Sequence, residues 1–163
     1  MHRRLESCAI AILDSCRRLY GVDLVSVAVF GSWARGTATP VSDVDVLIIA
    51  GVLPSSRRRR VEQFERVEIE TEDERRRMWD GDGPPPELSP VIKTPDEVSA
   101  GAPLFLDMTE WCEIIYDRDA FLDTFLGCLR KRLKRNGARR VWAKGGYYWE
   151  YKPDSVAAEV IEL

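Results

Sequence analysis

Two short apolar runs rich in β-branched residues, Leu24 to Phe30 and Val44 to Ala50, do most to restrict what this chain can fold into. Each lacks the polar alternation of a half-exposed strand, so each reads as a strand buried on both faces. The first breaks off at Gly31-Ser32, which reads as a tight turn, and the second follows a polar connection that ends in Ser42-Asp43.

Helices are predicted around these runs. Leu5, Cys8, Ala9, Ile12, Cys16, Leu19 and Tyr20 recur at helical spacing with charged residues between them, an amphipathic pattern that Gly21 ends. Ser55 to Trp79 reads as one exposed helix with a serine cap and a sparse apolar stripe of Val61, Phe64, Val67 and Met78. Its Arg57 to Arg60 and Arg75 to Arg77 clusters bracket acidic residues, so they read as a solvated, locally compensated face, with phosphate or nucleic-acid contact the alternative.

Gly81 to Pro86 is a loop by composition. Beyond it, Glu87 to Lys93 predicts a third strand, Thr94 to Glu97 a helix start, Ala102 to Trp111 a short helix, and Cys112 to Tyr116 a further strand. Asp119 to Asn136 has helical spacing with basic last turns, and Gly137 closes it. Val141 to Lys144 and Tyr147 to Lys152, joined by Gly145-Gly146, predict a β-hairpin. In that hairpin Tyr147, Trp149 and Tyr151 share a face, suited to packing on the preceding helix or to stacking on a base or a partner protein. The expected architecture is α+β: a small mixed β-sheet flanked by helices over residues 1–116, and a C-terminal helix plus β-hairpin over 117–163 packed on the same domain.

Composition excludes several classes. With 45% apolar and 31% charged residues in 163, the chain reads as globular, and it has no long uncharged run to span a membrane. Its amino end interleaves charge with apolar residues and does not read as a secretory signal, so a cytoplasmic location is expected. Cys8, Cys16, Cys112 and Cys128 lack metal-site spacing and read as buried thiols, and His2 is the only histidine, which argues against a His-dependent triad or metal site. A net charge of −3 argues against a general nucleic-acid coat.

The chemistry sits in Phe30-Gly31-Ser32-Trp33-Ala34-Arg35-Gly36 and Ser42-Asp43-Val44-Asp45. Alternate side chains of a strand share a face, so Asp43 and Asp45 project together while Val44 turns away. Two carboxylates so placed repel unless a cation lies between them, and oxygen ligands without histidine or paired thiols favour magnesium or manganese. Gly31 lets backbone N–H groups approach an anion and Ser32 adds a hydroxyl donor, with a short helix opening from the turn. A phosphate chain bridging this turn and the metals is the economical reading, with Arg35 either contacting phosphate or pairing with a carboxylate.

GSWARG followed by SDVDVLI resembles the glycine-serine and paired-aspartate signature of the polymerase beta-like nucleotidyltransferases, in size the minimal type. The resemblance implies the nucleotidyltransferase fold and two divalent ions, Mg²⁺ or Mn²⁺, on three carboxylates. It implies a hydroxyl attacking the α-phosphate of a nucleoside triphosphate, with ATP the expected donor. Carried over, Asp43 and Asp45 bridge the metals, while Gly31 and Ser32 hold the β- and γ-phosphates; Arg35 and Ser42 are further candidates for nucleotide binding. The family's third carboxylate, an aspartate on the next strand, has no counterpart here. Glu87 is the candidate, as metal ligand and general base, with Asp96 and Asp107 behind it, and an incomplete site that binds without efficient transfer is the alternative. The minimal members further imply an all-helical toxin-type protein partner and, as a second reading, an antitoxin acting by contact. RNA and self-association stay open as further partnerships.

Overall fold

The computed structural model describes residues 3–39, 41–79, 83–144 and 146–150. His2, Gly81, Asp82, Gly145, Tyr151 and Lys152, which figure in the expectations above, lie outside the described residues. Four strands form one sheet: β1 (Leu24–Phe30), β2 (Val44–Ala50), β3 (Leu88–Lys93) and β4 (Cys112–Asp117), in the order β3-β2-β1-β4. β1 runs antiparallel to both β2 and β4, whereas β3 is parallel to β2, so the sheet is mixed as expected.

Both sheet faces are covered, which is why β1 and β2 carry apolar residues at nearly every position. On one face Val27, Val29, Val44, Val46 and Ile48 meet α1 (Arg3–Tyr20), α3 (Arg57–Glu70) and α4 (Glu72–Met78) through Ile12, Cys16, Phe64, Val67 and Met78. On the other, Ala28, Leu47 and Ile49 meet α6 (Leu104–Met108) and α7 (Phe121–Arg135) through Phe105, Met108, Leu122 and Leu126. The helix starting at Thr94 is α5 (Pro95–Ser99), and it opens on a full capping box: Thr94 Oγ1 accepts from the Glu97 N–H while Glu97 accepts from the Thr94 N–H. A two-stranded sheet, β5 (Arg139–Ala143) with β6 (Gly146–Glu150), ends the described chain.

The arginine-rich region differs from its expectation. Ser55 to Trp79 is two helices, because the chain breaks at Thr71, a buried residue whose hydroxyl donates to the Val67 carbonyl at 2.7 Å and competes with the helical ladder. Ser56 is the N-cap residue of α3, without a side-chain capping bond. Arg58–Glu62, Arg66–Glu70 and Arg76–Glu72 are the local pairs predicted for a solvated face. Arg60 and Arg75 are instead buried. Arg60 donates to the Pro54 and Ile92 carbonyls and to both oxygens of Glu97, and Arg75 donates to the Glu68 and Pro86 carbonyls. A guanidinium reaches across an element boundary in this way because its five donors can satisfy several orphan carbonyls at once.

β3 begins at Leu88, one residue after Glu87, and carries Pro90. The Val44 N–H donates to the Glu87 carbonyl at 2.8 Å, and in a parallel ladder the same parity then repeats along the strand. Pro90 therefore has its nitrogen on the outer side, where no ladder bond is lost. Of the cysteines, Cys8 and Cys16 are buried and Cys112 half-buried, but Cys128, on α7, is exposed. Among the described residues no helix is long and apolar enough to cross a membrane.

Candidate active site

Gly31 turns the chain from β1 into α2 (Gly31–Arg35) with φ +69°, a left-handed conformation that a side chain would strain. Its second constraint is space. A Cβ built there would stand 2.0 Å from Asp45 Oδ2, so the Asp45 carboxylate lies directly against the Gly31 backbone. The pairing of Phe30 with Asp45 across β1 and β2 produces this approach.

Asp43 is exposed and precedes β2, Val44 is fully buried, and Asp45 is half-buried, which is the alternation predicted from the sequence. Burial raises the Asp45 carboxyl above its ordinary range, the Asp43 charge raises it further, and the Arg35 guanidinium acts in the opposite sense. These three groups are thus electrostatically coupled, with two negative charges facing one positive.

The remaining predicted residues fall in different places. Ser32 is the second residue of α2, beside Gly31, and is partly exposed, and its carbonyl accepts from the Thr37 N–H at 2.9 Å to close the turn. Ser42 holds the loop that delivers Asp43: its Oγ accepts from the Thr39 N–H at 2.9 Å, and its carbonyl accepts from Trp33 Nε1 at 3.4 Å. Glu87 is exposed, and the register that pairs Val44 with Leu88 sets it alongside Asp43, one strand over. Its charge is felt at Glu68 on α3, whose carboxyl burial raises first and Glu87 raises further. Among the described residues no group of three or more acidic, histidine or cysteine side chains stands close enough to hold a metal ion, so Glu87 is not gathered with Asp43 and Asp45.

The fallbacks fare differently. Asp96 is exposed in the first turn of α5. Asp107 is engaged by the hairpin, accepting from the Tyr147 hydroxyl at 2.7 Å and from Trp149 Nε1 at 2.9 Å.

The sequence reading did not connect that hairpin to the site. Arg140, Trp142, Tyr147 and Trp149 share a face of β5 and β6, and Trp149 packs against the cluster that contains Leu126, Leu129 and Leu133 of α7. The Arg140 guanidinium lies 3.8 Å from the Trp111 ring centroid, 4.6 Å from that of Tyr147 and 4.9 Å from that of Trp149. Arg35 approaches the same Trp111 ring at 5.4 Å and donates to the Tyr147 hydroxyl at 3.4 Å. Alternation along the hairpin was the available signal, since it put Tyr147 and Trp149 on one face.

The family model described as "Nucleotidyltransferase domain" matches residues 10–93, which contain β1, the Gly31 turn, both aspartates and β3. A candidate protein adenylyltransferase of Methanocaldococcus jannaschii, MJ1305, is 34% identical over 136 residues, covering 82% of this chain and 86% of its own. In fold the chain resembles a toxin–antitoxin crystal structure with AMP-PNP, at a TM-score of 0.51 and 13% identity over 79% of this chain and 92% of that one. A mutant of the MntA-HpeT toxin–antitoxin also gives a TM-score of 0.51, at 12% identity and the same coverage. With the family model matching just over half of the chain and a relative 34% identical over 82% of it, the chain belongs to the nucleotidyltransferase domain family, as a polymerase beta-like member of the minimal type.

Proposed function

We propose that this protein transfers the adenylyl group of ATP to a hydroxyl on a protein acceptor. The observation that carries the reading is the Asp45 carboxylate pressed against Gly31 at the strand end, with Asp43 beside it. ATP and a protein acceptor are supported by the description of the M. jannaschii relative as a candidate protein adenylyltransferase.

Two facing carboxylates, one of them half-buried and carrying a raised proton affinity, form a donor set that fits a hard divalent cation. Asp43 and Asp45 would hold it, with Glu87 set alongside Asp43 by the register of β2 and β3. Such ions, when bound, offset the charge on the attacking and leaving oxygens of an in-line displacement. The chain's own residues do the rest. Gly31 and Ser32 seat the β- and γ-phosphates, and Arg35 supplies positive charge on the same side as Asp45. The acceptor oxygen bonds to the α-phosphorus, the bond to the β-phosphate oxygen breaks, and pyrophosphate leaves. The acceptor's proton passes to a carboxylate, for which Glu87 is proposed as general base.

The test is incubation with labelled nucleoside triphosphates, magnesium or manganese, and proteins of the source cell. Label should appear on protein from ATP and disappear in Asp43→Asn and Asp45→Asn. Absence of transfer under every condition, together with no metal-dependent nucleotide binding, would overturn the reading. A second reading, neutralisation of a toxin-type partner by contact, is supported by the likeness in fold to toxin–antitoxin structures. Neutralisation that survives loss of both aspartates would favour it.

A further inference from the structure

The family match ends at residue 93, yet Asp107, Trp111, Arg140 and Tyr147, which lie beyond it, converge on Arg35, which lies within it. We propose that Tyr147, held by Asp107, is a positioning residue that fixes the Arg35 guanidinium beside Asp45, so that the C-terminal hairpin completes the nucleotide site. This inference rests on the nucleotidyl-transfer reading above and assigns that site a second structural half.

The direction of the hydrogen bonds carries the argument. A phenol has one proton to donate, and the Asp107 carboxylate, which can only accept, takes it at 2.7 Å. The Tyr147 oxygen is then left as an acceptor toward Arg35, 3.4 Å away, and a guanidinium can only donate. No other assignment satisfies all three groups, so the chain from Asp107 through Tyr147 to Arg35 has a single polarity. Its far end is also fixed, because Trp149 Nε1 occupies the other Asp107 oxygen at 2.9 Å and Arg140 Nη2 stands 3.8 Å from it.

Charge explains why such a brace is useful. Arg35 and Arg140 both lie over the Trp111 ring, so two like charges share one face-binding partner. Asp107 and Glu110 offset Arg140, the latter at 2.9 Å, which leaves Arg35 to act on Asp45. Without the phenol acceptor, Arg35 would keep the ring and the pull of Asp45 but lose the hydrogen bond that fixes its direction. Burial and the Asp107 hydrogen bond both raise the Tyr147 hydroxyl above its ordinary range, in keeping with its role as the donor to Asp107.

Calorimetric titration with magnesium AMP-PNP on the full chain tests this, using wild type, Arg35→Ala, Tyr147→Phe and the double variant. Tyr147→Phe keeps the ring and its packing, and an unchanged circular dichroism spectrum checks the fold. Loss of one hydrogen bond to a charged group predicts binding weakened about 5- to 20-fold in Tyr147→Phe. The double variant should bind no more weakly than Arg35→Ala alone, since a residue that acts through Arg35 has nothing left to position. Wild-type affinity in Tyr147→Phe, or losses that multiply in the double variant, would overturn the proposal. Should wild type neither bind the analogue nor transfer label, the transferase reading fails, and the positioning is decided by NMR of the Arg35 guanidinium. A resonance shifted and exchanging faster in Tyr147→Phe supports the brace, and an unchanged one overturns it.

Discussion

Gly31 and Asp45 meet with no room for a methyl group between them: a Cβ on the glycine would stand 2.0 Å from the carboxylate oxygen and 3.0 Å from its carbon. Gly31→Ala therefore combines a left-handed φ with a displaced carboxylate. The expected cost is about 1–3 kcal/mol of stability, read by chemical denaturation. Label transfer should fall further than that cost explains, because Asp45 itself must move.

Asp45→Asn should separate stability from activity. The wild-type carboxylate is held in a half-buried place beside Asp43, which destabilises its charged form, so removing the charge should raise the melting temperature of the protein without added divalent ions. The same change should reduce transfer by roughly a hundredfold or more, the scale on which metal-assisted charge stabilisation operates. Magnesium should raise the melting temperature of wild type and leave that of the variant nearly unmoved, as measured by differential scanning fluorimetry.

Glu97 provides a pH signature away from the site. Hydrogen bonds from Arg60 and from the Thr94 N–H hold its carboxyl down at about 2, against an ordinary value of 4.5. A depressed carboxylate stabilises the fold fully above its unfolded value and loses that contribution as the pH falls toward the folded one. Between pH 4.5 and about 2 wild type should therefore lose stability more steeply than Glu97→Gln, which is less stable at pH 7 and flatter in acid. Denaturant midpoints across that window give the comparison.

Phe64 and Phe105 test the two-sided sheet. Each is fully buried, but they belong to separate clusters on opposite faces. Truncation of either to alanine should cost about 3–5 kcal/mol, and the two costs should add, because they share no packing partners. A combined loss well below the sum, in equilibrium unfolding, would show that one cavity relieves the other.

The sheet and the paired aspartates were legible in the sequence for the same reason. Buried strands repeat apolar residues, and a strand's two-residue period leaves Asp43 and Asp45 only one arrangement relative to Val44. The Gly31 turn was legible as a turn, though not the closeness of Asp45, which depends on the register of β1 against β2. Arg60 and Arg75 were illegible because an arginine in a charged run looks the same whether it faces water or reaches a carbonyl on another element. The Asp107–Tyr147 contact spans 40 residues, and hairpin alternation fixed the face of Tyr147 but not what that face would meet. Glu87 was placed in the strand and lies one residue before it, and the third-carboxylate assignment depends on that end.

The outer border of β3 limits how this molecule can associate. Every second residue there points its backbone away from β2; Pro90 has no N–H to offer, and the Ile92 carbonyl is already bonded to Arg60 at 3.1 Å. An incoming strand would find no donor at Pro90 and an acceptor already engaged at Ile92. Strand addition along this border is thus disfavoured by a ring and a guanidinium, which leaves side chains as the better contact for a neighbouring chain here.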